Sequence, residues 1–122
     1  MVIFMCPTLR KEADAMICVL YKEYLARRKN GISHSDAIFL GDDVDLHAQF
    51  FSPIPLDDVT ELLWSLHFSN LIHANCGDDR ASDIVLTDDG IVYMEGRFKG
   101  KIDAVLHYLA TIKNLLPIPF VD

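Results

Sequence analysis

The stretch LDDVTELLWSLHFSNLIHANC, residues 56–76, changes its hydrophobic period once, and this change decides the fold. Up to Asn70 the apolar residues recur at steps of three and four, which places them on one face of a helix. From Leu71 the period becomes two, which is typical of a half-buried strand. We therefore predict a helix over residues 56–70, followed directly by a strand. This helix contains three acids and no lysine or arginine.

The residues after this stretch predict a hairpin and a further helix. Strand-like runs at Leu71–Cys76 and Ser82–Leu86 flank GDDRA, which is interpreted as a five-residue hairpin tip. In LTDDGIVYMEGRF, residues 86–98, Thr87 is a natural N-cap, and Gly90 lets the first turn approach a neighbour closely. The apolar face of this helix consists of Ile91, Met94 and Phe98.

The N-terminal half predicts one long helix and one short one, and it allows a second short helix. Residues 9–29 have a helical pattern, with Thr8 as a plausible N-cap and Asn30-Gly31 as a stop signal. Either Ser33 or Ser35 can cap a short helix through residues 36–39 that ends at Gly41. A second short helix over residues 44–51 precedes two prolines, Pro53 and Pro55, which exclude a long helix there.

The last helix carries a narrow apolar seam. Its members alternate in steps of three and four, the spacing at which two helices pair. They are Ile102, Val105, Leu109, Ile112 and Leu116. The seam predicts a homodimer.

The composition indicates one folded domain. The 122 residues are 51% hydrophobic and 24% charged, as in globular chains. Cys6, Cys18 and Cys76 are odd in number and lack zinc-ligand spacing, so we expect free thiols in a reducing cytoplasm. No apolar run approaches the roughly 20 residues that span a bilayer. Pro7 interrupts the apolar N-terminal residues, so we expect no signal peptide.

The order helix, short helix, helix, hairpin, helix, helix is the layout of a winged helix. LTDDGIVYMEGRF resembles the segment that ends the wing and starts the next helix in many bacterial winged-helix proteins. VLYKEYLARRKNGIS and LLWSLHFSNLI resemble the first helix and the junction between third helix and wing. Within this class the chain is most similar to small bacterial and phage YjcQ-like proteins. The resemblance implies a winged helix-turn-helix over residues 1–100, with residues 101–122 packing on it as a dimerisation-type helix and tail. It also implies DNA binding by the third helix and wing.

The charge distribution departs from that implication. The chain carries a formal net charge of −7. Between Gly31 and Glu95, thirteen aspartates and glutamates face one arginine, Arg80, so that this span carries −12. Non-specific DNA affinity comes mainly from basic residues that release counterions from phosphates. The sequence therefore disfavours DNA binding by the third helix and wing.

Two other sets of residues are candidate interaction sites. Trp64, His67 and Phe68 form a second stripe on the third helix, either an exposed aromatic patch for a protein partner or a second buried face. The basic residues form two clusters, which would make one positive patch for nucleic acid or an acidic partner if the ends of their helices lie together. The clusters are Arg27, Arg28 and Lys29, and Arg97, Lys99 and Lys101. Alternatively, these residues complement helix dipoles and maintain solubility.

The sequence gives little support for catalysis or metal binding. Asp42, Asp43 and Asp45 lack the regular ligand spacing of a calcium loop and are interpreted as capping and solvated loop acids. No nucleophile elbow or phosphate-binding glycine loop is present. We therefore expect a non-enzymatic cytoplasmic protein without cofactor or metal, which acts as a regulator or adaptor through dimerisation and contacts with an unknown protein. The alternative is a DNA-binding transcriptional regulator.

Overall fold

The computed structural model describes residues 10–77 and 80–112. Within these ranges the chain is mostly helical, with a small antiparallel sheet, as predicted. The elements in chain order are α1 (Lys11–Lys29), α2 (His34–Ala37), β1 (Phe39–Gly41), α3 (Asp43–Phe50), α4 (Leu56–Phe68), β2 (Ile72–Gly77), β3 (Arg80–Leu86), α5 (Asp88–Phe98) and α6 (Ile102–Ile112). None of the described helices is long and apolar enough to cross a membrane.

The sheet has the order β1-β3-β2, with both pairings antiparallel. The prediction of a five-residue hairpin tip is wrong, because pairing continues to Gly77 and Arg80 and leaves only two residues between the strands. The prediction of a short helix through Phe39 is also wrong. The helix capped by Ser33 ends at Ala37, and Phe39 instead pairs with Val85.

α1 is the centre of the core. Its residues from Ala15 to Tyr21 are all fully buried. The helix begins at Lys11, two residues after the predicted start, and Thr8 lies outside the described residues. Its predicted end is confirmed. Gly31 has a φ of +86°, and the N–H of Ile32 donates to the carbonyl of Arg27, which satisfies the last turn.

The junction between β3 and α5 forms as predicted. The hydroxyl of Thr87 accepts a hydrogen bond from the N–H of Gly90 at 2.9 Å and donates one to the carbonyl of Asn70 at 2.7 Å. A Cβ on Gly90 would lie 2.9 Å from the carbonyl carbon of Leu71 and closer still to its oxygen. These contacts fix the start of α5 against the residues that connect α4 with β2.

α6 corrects the interpretation of the apolar seam. Val105 and Leu109, its central residues, are fully buried within the chain, where α6 packs on α1 and α5. They therefore cannot contact a second copy while the chain is folded. Ile102 and Ile112 are half-buried, and Leu116 lies outside the described residues.

Candidate interaction surface on α4 and the hairpin

The outer side of α4 changes from acidic to aromatic along its length. We call the set Asp57, Asp58, Glu61, Trp64 and Phe68 the α4 face. The inner side of the helix packs into the core through fully buried apolar residues, so the outer side is fixed in orientation. Its three acids are all exposed. Asp57 and Asp58 lie in the first turn, where carboxylates complement the positive end of the helix dipole.

The aromatic end of the α4 face is centred on Phe68. Its side chain is 81% exposed, the largest exposure among the large apolar residues that the structure describes. Trp64 is half-buried against the core, and its ring centroid lies 6.2 Å from that of Phe68. The aromatic stripe is therefore neither fully exposed nor fully buried. Phe68 faces solvent, whereas Trp64 contacts the core with one side and is accessible to solvent on the other.

His67 has a different position from its two neighbours in the predicted patch. Its Nδ1 accepts a hydrogen bond from the backbone N–H of Ala74 in β2 at 3.2 Å. Its ring also lies 5.3 Å from the ring of His73. His67 thus joins α4 to the outer strand of the hairpin, and it orients the aromatic end rather than projecting freely from it.

An open groove of about 410 Å³ runs between α4 and the hairpin. α4 contributes one wall, with Trp64 in it, and the hairpin contributes Cys76 and Arg80. The lining residues are Asp57, Thr60, Glu61, Trp64, Cys76 and Arg80. The groove therefore brings Asp57 and Glu61 of the α4 face together with Trp64.

A buried carboxylate lies behind this groove. Asp43 is 1% exposed, and its Oδ2 accepts a hydrogen bond from the hydroxyl of Thr60 at 2.6 Å. The same oxygen lies 3.5 Å from Nε of Arg80, whose Nη2 lies 3.3 Å from Asp57. The second oxygen of Asp43 has no partner among the described residues. This group joins α3, α4 and β3.

The interpretation of the three acids at the start of α3 is therefore correct for two of them. Asp42 and Asp45 form a capping box at the start of α3, as expected for capping acids. Asp43 is not a solvated loop acid, because Thr60 and Arg80 bury it. The sequence holds no signal for this arrangement, since the partners of Asp43 lie 17 and 37 positions away along the chain.

The two basic clusters do not form one patch. Arg97 binds Asp14 near the start of α1 with an Nη1–Oδ1 distance of 2.6 Å, whereas Arg27 lies near the end of the same helix. Thirteen residues of helix separate Asp14 from Arg27, which is about 20 Å along the axis. Arg27 is itself engaged, with Glu23 at 2.9 Å and the carbonyl of Phe39 at 2.7 Å. The prediction of a combined positive patch is wrong.

Arg97 belongs to a partly buried group that joins three helices. Besides Asp14 of α1, its guanidinium lies over the ring of Tyr108 in α6, 4.9 Å from the centroid. Burial opposes the charge of Arg97, but the hydrogen bond with Asp14 and the electrostatic contributions of Cys18, Asp14 and Tyr93 together outweigh it, so the pKa of Arg97 is raised. The hydroxyl of Tyr108 donates to Asp14 at 2.5 Å. Burial, and then this bond, raise the pKa of Tyr108.

The described cysteines differ in their surroundings. Cys18 is fully buried in α1, and burial, with a smaller contribution from Asp14, raises the pKa of its thiol to about 12. Such a thiol is a poor nucleophile at neutral pH. Cys76 is exposed in β2. Among residues 10–77 and 80–112, no three histidine, cysteine or acidic side chains are grouped as ligands for a metal ion.

Comparison with known proteins does not extend these observations. No family model matches the chain, and no curated protein or solved structure is significantly similar to it.

Proposed function

We propose that the protein is a small winged-helix regulator or adaptor that acts through protein contacts made by its α4 face. The order of its elements supports the winged-helix part of this proposal. α1 is followed by the short α2, then β1, α3 and α4, then the β2–β3 hairpin, and β1 pairs with β3. In this layout α4 takes the place of the helix that reads DNA, and the hairpin takes the place of the wing.

The charge of the α4 face is the observation that carries the proposal. A DNA-reading surface needs arginine or lysine to contact phosphates and to approach base edges. Here the exposed end of α4 presents Asp57, Asp58 and Glu61. Two arginines lie beside them, Arg10 at 3.2 Å from Glu61 and Arg80 at 3.3 Å from Asp57, and both contact these acids. The surface that would face the phosphates therefore repels them.

A DNA-binding regulator is the second candidate, and it depends on the remaining basic residues. Arg28, Lys29, Lys99 and Lys101 are exposed. Lys99 and Lys101 follow Arg97, which binds Asp14 near the start of α1. Arg28 and Lys29 belong to the last turn of α1, at its opposite end. Two pairs of charges so far apart provide a weak electrostatic surface for a single duplex, and this favours the adaptor over the regulator.

Binding of a labelled duplex of mixed sequence tests the proposal. Fluorescence anisotropy is measured with increasing protein at about 50 mM and 200 mM salt. We expect no binding by the unaltered chain at either salt concentration. Binding that weakens with salt by a slope of several charges would overturn the adaptor proposal.

A matched pair of variants makes the duplex experiment decisive. Replacing Asp58→Arg and Glu61→Arg together converts the α4 face to a positive surface, and this variant is expected to bind the duplex at low salt. It thereby shows that the assay detects binding through this surface. If the unaltered chain binds and Lys99→Glu with Lys101→Glu abolishes the binding, the second candidate replaces the first.

A further inference from the structure

Two kinds of binding chemistry lie next to each other on the α4 face. Asp57 and Asp58 mark its acidic end, and Phe68 marks its aromatic end. Eleven residues of helix separate Asp57 from Phe68, which is about 16 Å along the axis. Trp64 lies between them and lines the groove beside the hairpin. The α4 face is therefore acidic at one end of the helix and aromatic at the other.

The acidic end attracts cations. The carboxylate of Asp58 contacts no basic side chain in the described part of the chain. Glu61 contacts the exposed Arg10, whereas Asp57 contacts Arg80, which is half-buried and also pairs with Asp43. The exposed Arg10–Glu61 pair contributes little, so Glu61 can exchange Arg10 for a cation of a partner. Three carboxylates beside two arginines leave this end of the surface negative. A positively charged segment would therefore be drawn to this end, and an anionic one excluded.

The aromatic end provides an anchor. Phenylalanine and tryptophan dominate the binding energy of many protein interfaces, since they bury large apolar areas. Phe68 lies beside two other rings: its ring is 5.2 Å from that of His67, which is itself hydrogen-bonded to β2, and 6.2 Å from that of Trp64. An exposed phenylalanine beside other aromatic rings is suited to contact an apolar side chain of a partner.

We propose that the α4 face binds a protein segment that carries arginine or lysine residues at one end and an aromatic or aliphatic residue about 16 Å away. In an extended segment this distance corresponds to about five residues. The basic residues of the segment contact Asp57, Asp58 and Glu61. The segment then follows the groove past Trp64, and its apolar residue packs on Phe68. This inference rests on the adaptor proposal and specifies the chemistry of the partner.

Trp64 is the only tryptophan of the chain and therefore reports on binding at this place. Its fluorescence is followed during titration with synthetic peptides that have four arginines and a phenylalanine separated by about five residues, in either order along the peptide. Two control peptides lack one component each: one has glutamine in place of arginine, and the other has serine in place of phenylalanine. We expect a saturable change in fluorescence for one order of the complete peptide, with an affinity about tenfold higher than for either control peptide.

Three variants locate the binding. Phe68→Ser should reduce the affinity of the complete peptide about tenfold, to the level of the peptide without phenylalanine. Glu61→Lys should weaken every arginine-containing peptide severalfold and reduce the salt dependence. Asp36→Lys changes the net charge equally but lies just after the far end of α1, away from Arg10 and Glu61, and it should leave the affinity unchanged.

The outcomes separate this inference from the function on which it rests. If neither order of the complete peptide changes Trp64 fluorescence, or if Asp36→Lys weakens binding as much as Glu61→Lys, the inference is wrong. A general attraction between charges would then be the explanation for any binding observed. The adaptor proposal fails only in the duplex experiment, which does not depend on these peptides.

Discussion

Gly90 shows how a single residue fixes two elements against each other. Its backbone lies against the carbonyl of Leu71, in a space that has no room for a Cβ. Thr87, three residues earlier, caps the same turn and also bonds to Asn70. The start of α5 is thereby held to the segment between α4 and β2. This segment follows directly after Phe68, the last residue of α4.

Replacing Gly90→Ala is therefore expected to destabilise the protein by about 3 kcal/mol, because the added Cβ collides with backbone that cannot move without displacing β2. The free energy of unfolding is measured by urea denaturation. Gly96→Ala is the matched control in the same helix, since nothing lies within 4 Å of a Cβ there. It should stabilise the helix by about 0.5–1 kcal/mol. Equal effects of the two substitutions would contradict the packing argument.

Thr87 and Gly90 were predictable from the sequence, whereas Asp43 was not. The roles of Thr87 and Gly90 follow from local chemistry: a hydroxyl caps the helix that it precedes, and a glycine in the first turn permits close approach. Asp43 is indistinguishable in sequence from its neighbour Asp42. Only the fold brings Thr60 and Arg80 to it and makes one acid a cap and the other a buried group.

At the level of secondary structure, elements with their own periodicity were predicted and the one without it was missed. α1, α4 and α5 each have a helical pattern with an end signal, and their predicted positions agree with the structure to within two residues. β1 has only three residues, too few to show a period of two. It exists because it pairs with β3, whose position the local sequence of Phe39–Gly41 does not specify.

The contact between α1, α5 and α6 shows why charge alone does not indicate which basic residues are exposed and which are partly buried. Arg97 and Lys99 lie two positions apart, but only Arg97 turns toward Asp14 and Tyr108. The periodicity of α5 places Arg97 next to the apolar residue Phe98, at the border of the buried face, and this was the available signal. Their charge and their closeness in the sequence do not distinguish the two residues.

Arg97→Ala is expected to lower the free energy of unfolding by about 3 kcal/mol, because it leaves the carboxylate of Asp14 partly buried without its ion pair. Lys99→Ala should change it by less than about 0.5 kcal/mol, since Lys99 is exposed. Both values are obtained from urea denaturation followed by circular dichroism. If both substitutions have equal, small effects, Arg97 is a surface cation like Lys99, and it belongs with Lys99 to a positive patch at the end of α5.

In the molecule as a whole, α6 completes a core that is centred on α1. The heptad-like spacing of its apolar residues was read correctly as a packing seam, but the spacing cannot specify which helix lies opposite. Within the described residues the opposing helix is α1 of the same chain, and Val105 and Leu109 lie between the two. A homodimer through these two residues would require α6 to leave its own core, which costs the burial that they contribute.

Replacing Leu109→Lys is accordingly expected to destabilise the fold by about 3 kcal/mol or more, because it removes a fully buried side chain and places a charge in the core. Ala110→Lys, on the exposed side of the same helix, should leave stability nearly unchanged. Circular dichroism during thermal unfolding measures the loss, and sedimentation equilibrium gives the mass of each variant. We expect the folded forms of all three proteins to have the same mass. If Leu109→Lys is instead as stable as Ala110→Lys and has half the mass of the unaltered protein, Leu109 lies in a dimer interface and the packing of α6 on α1 within one chain is wrong.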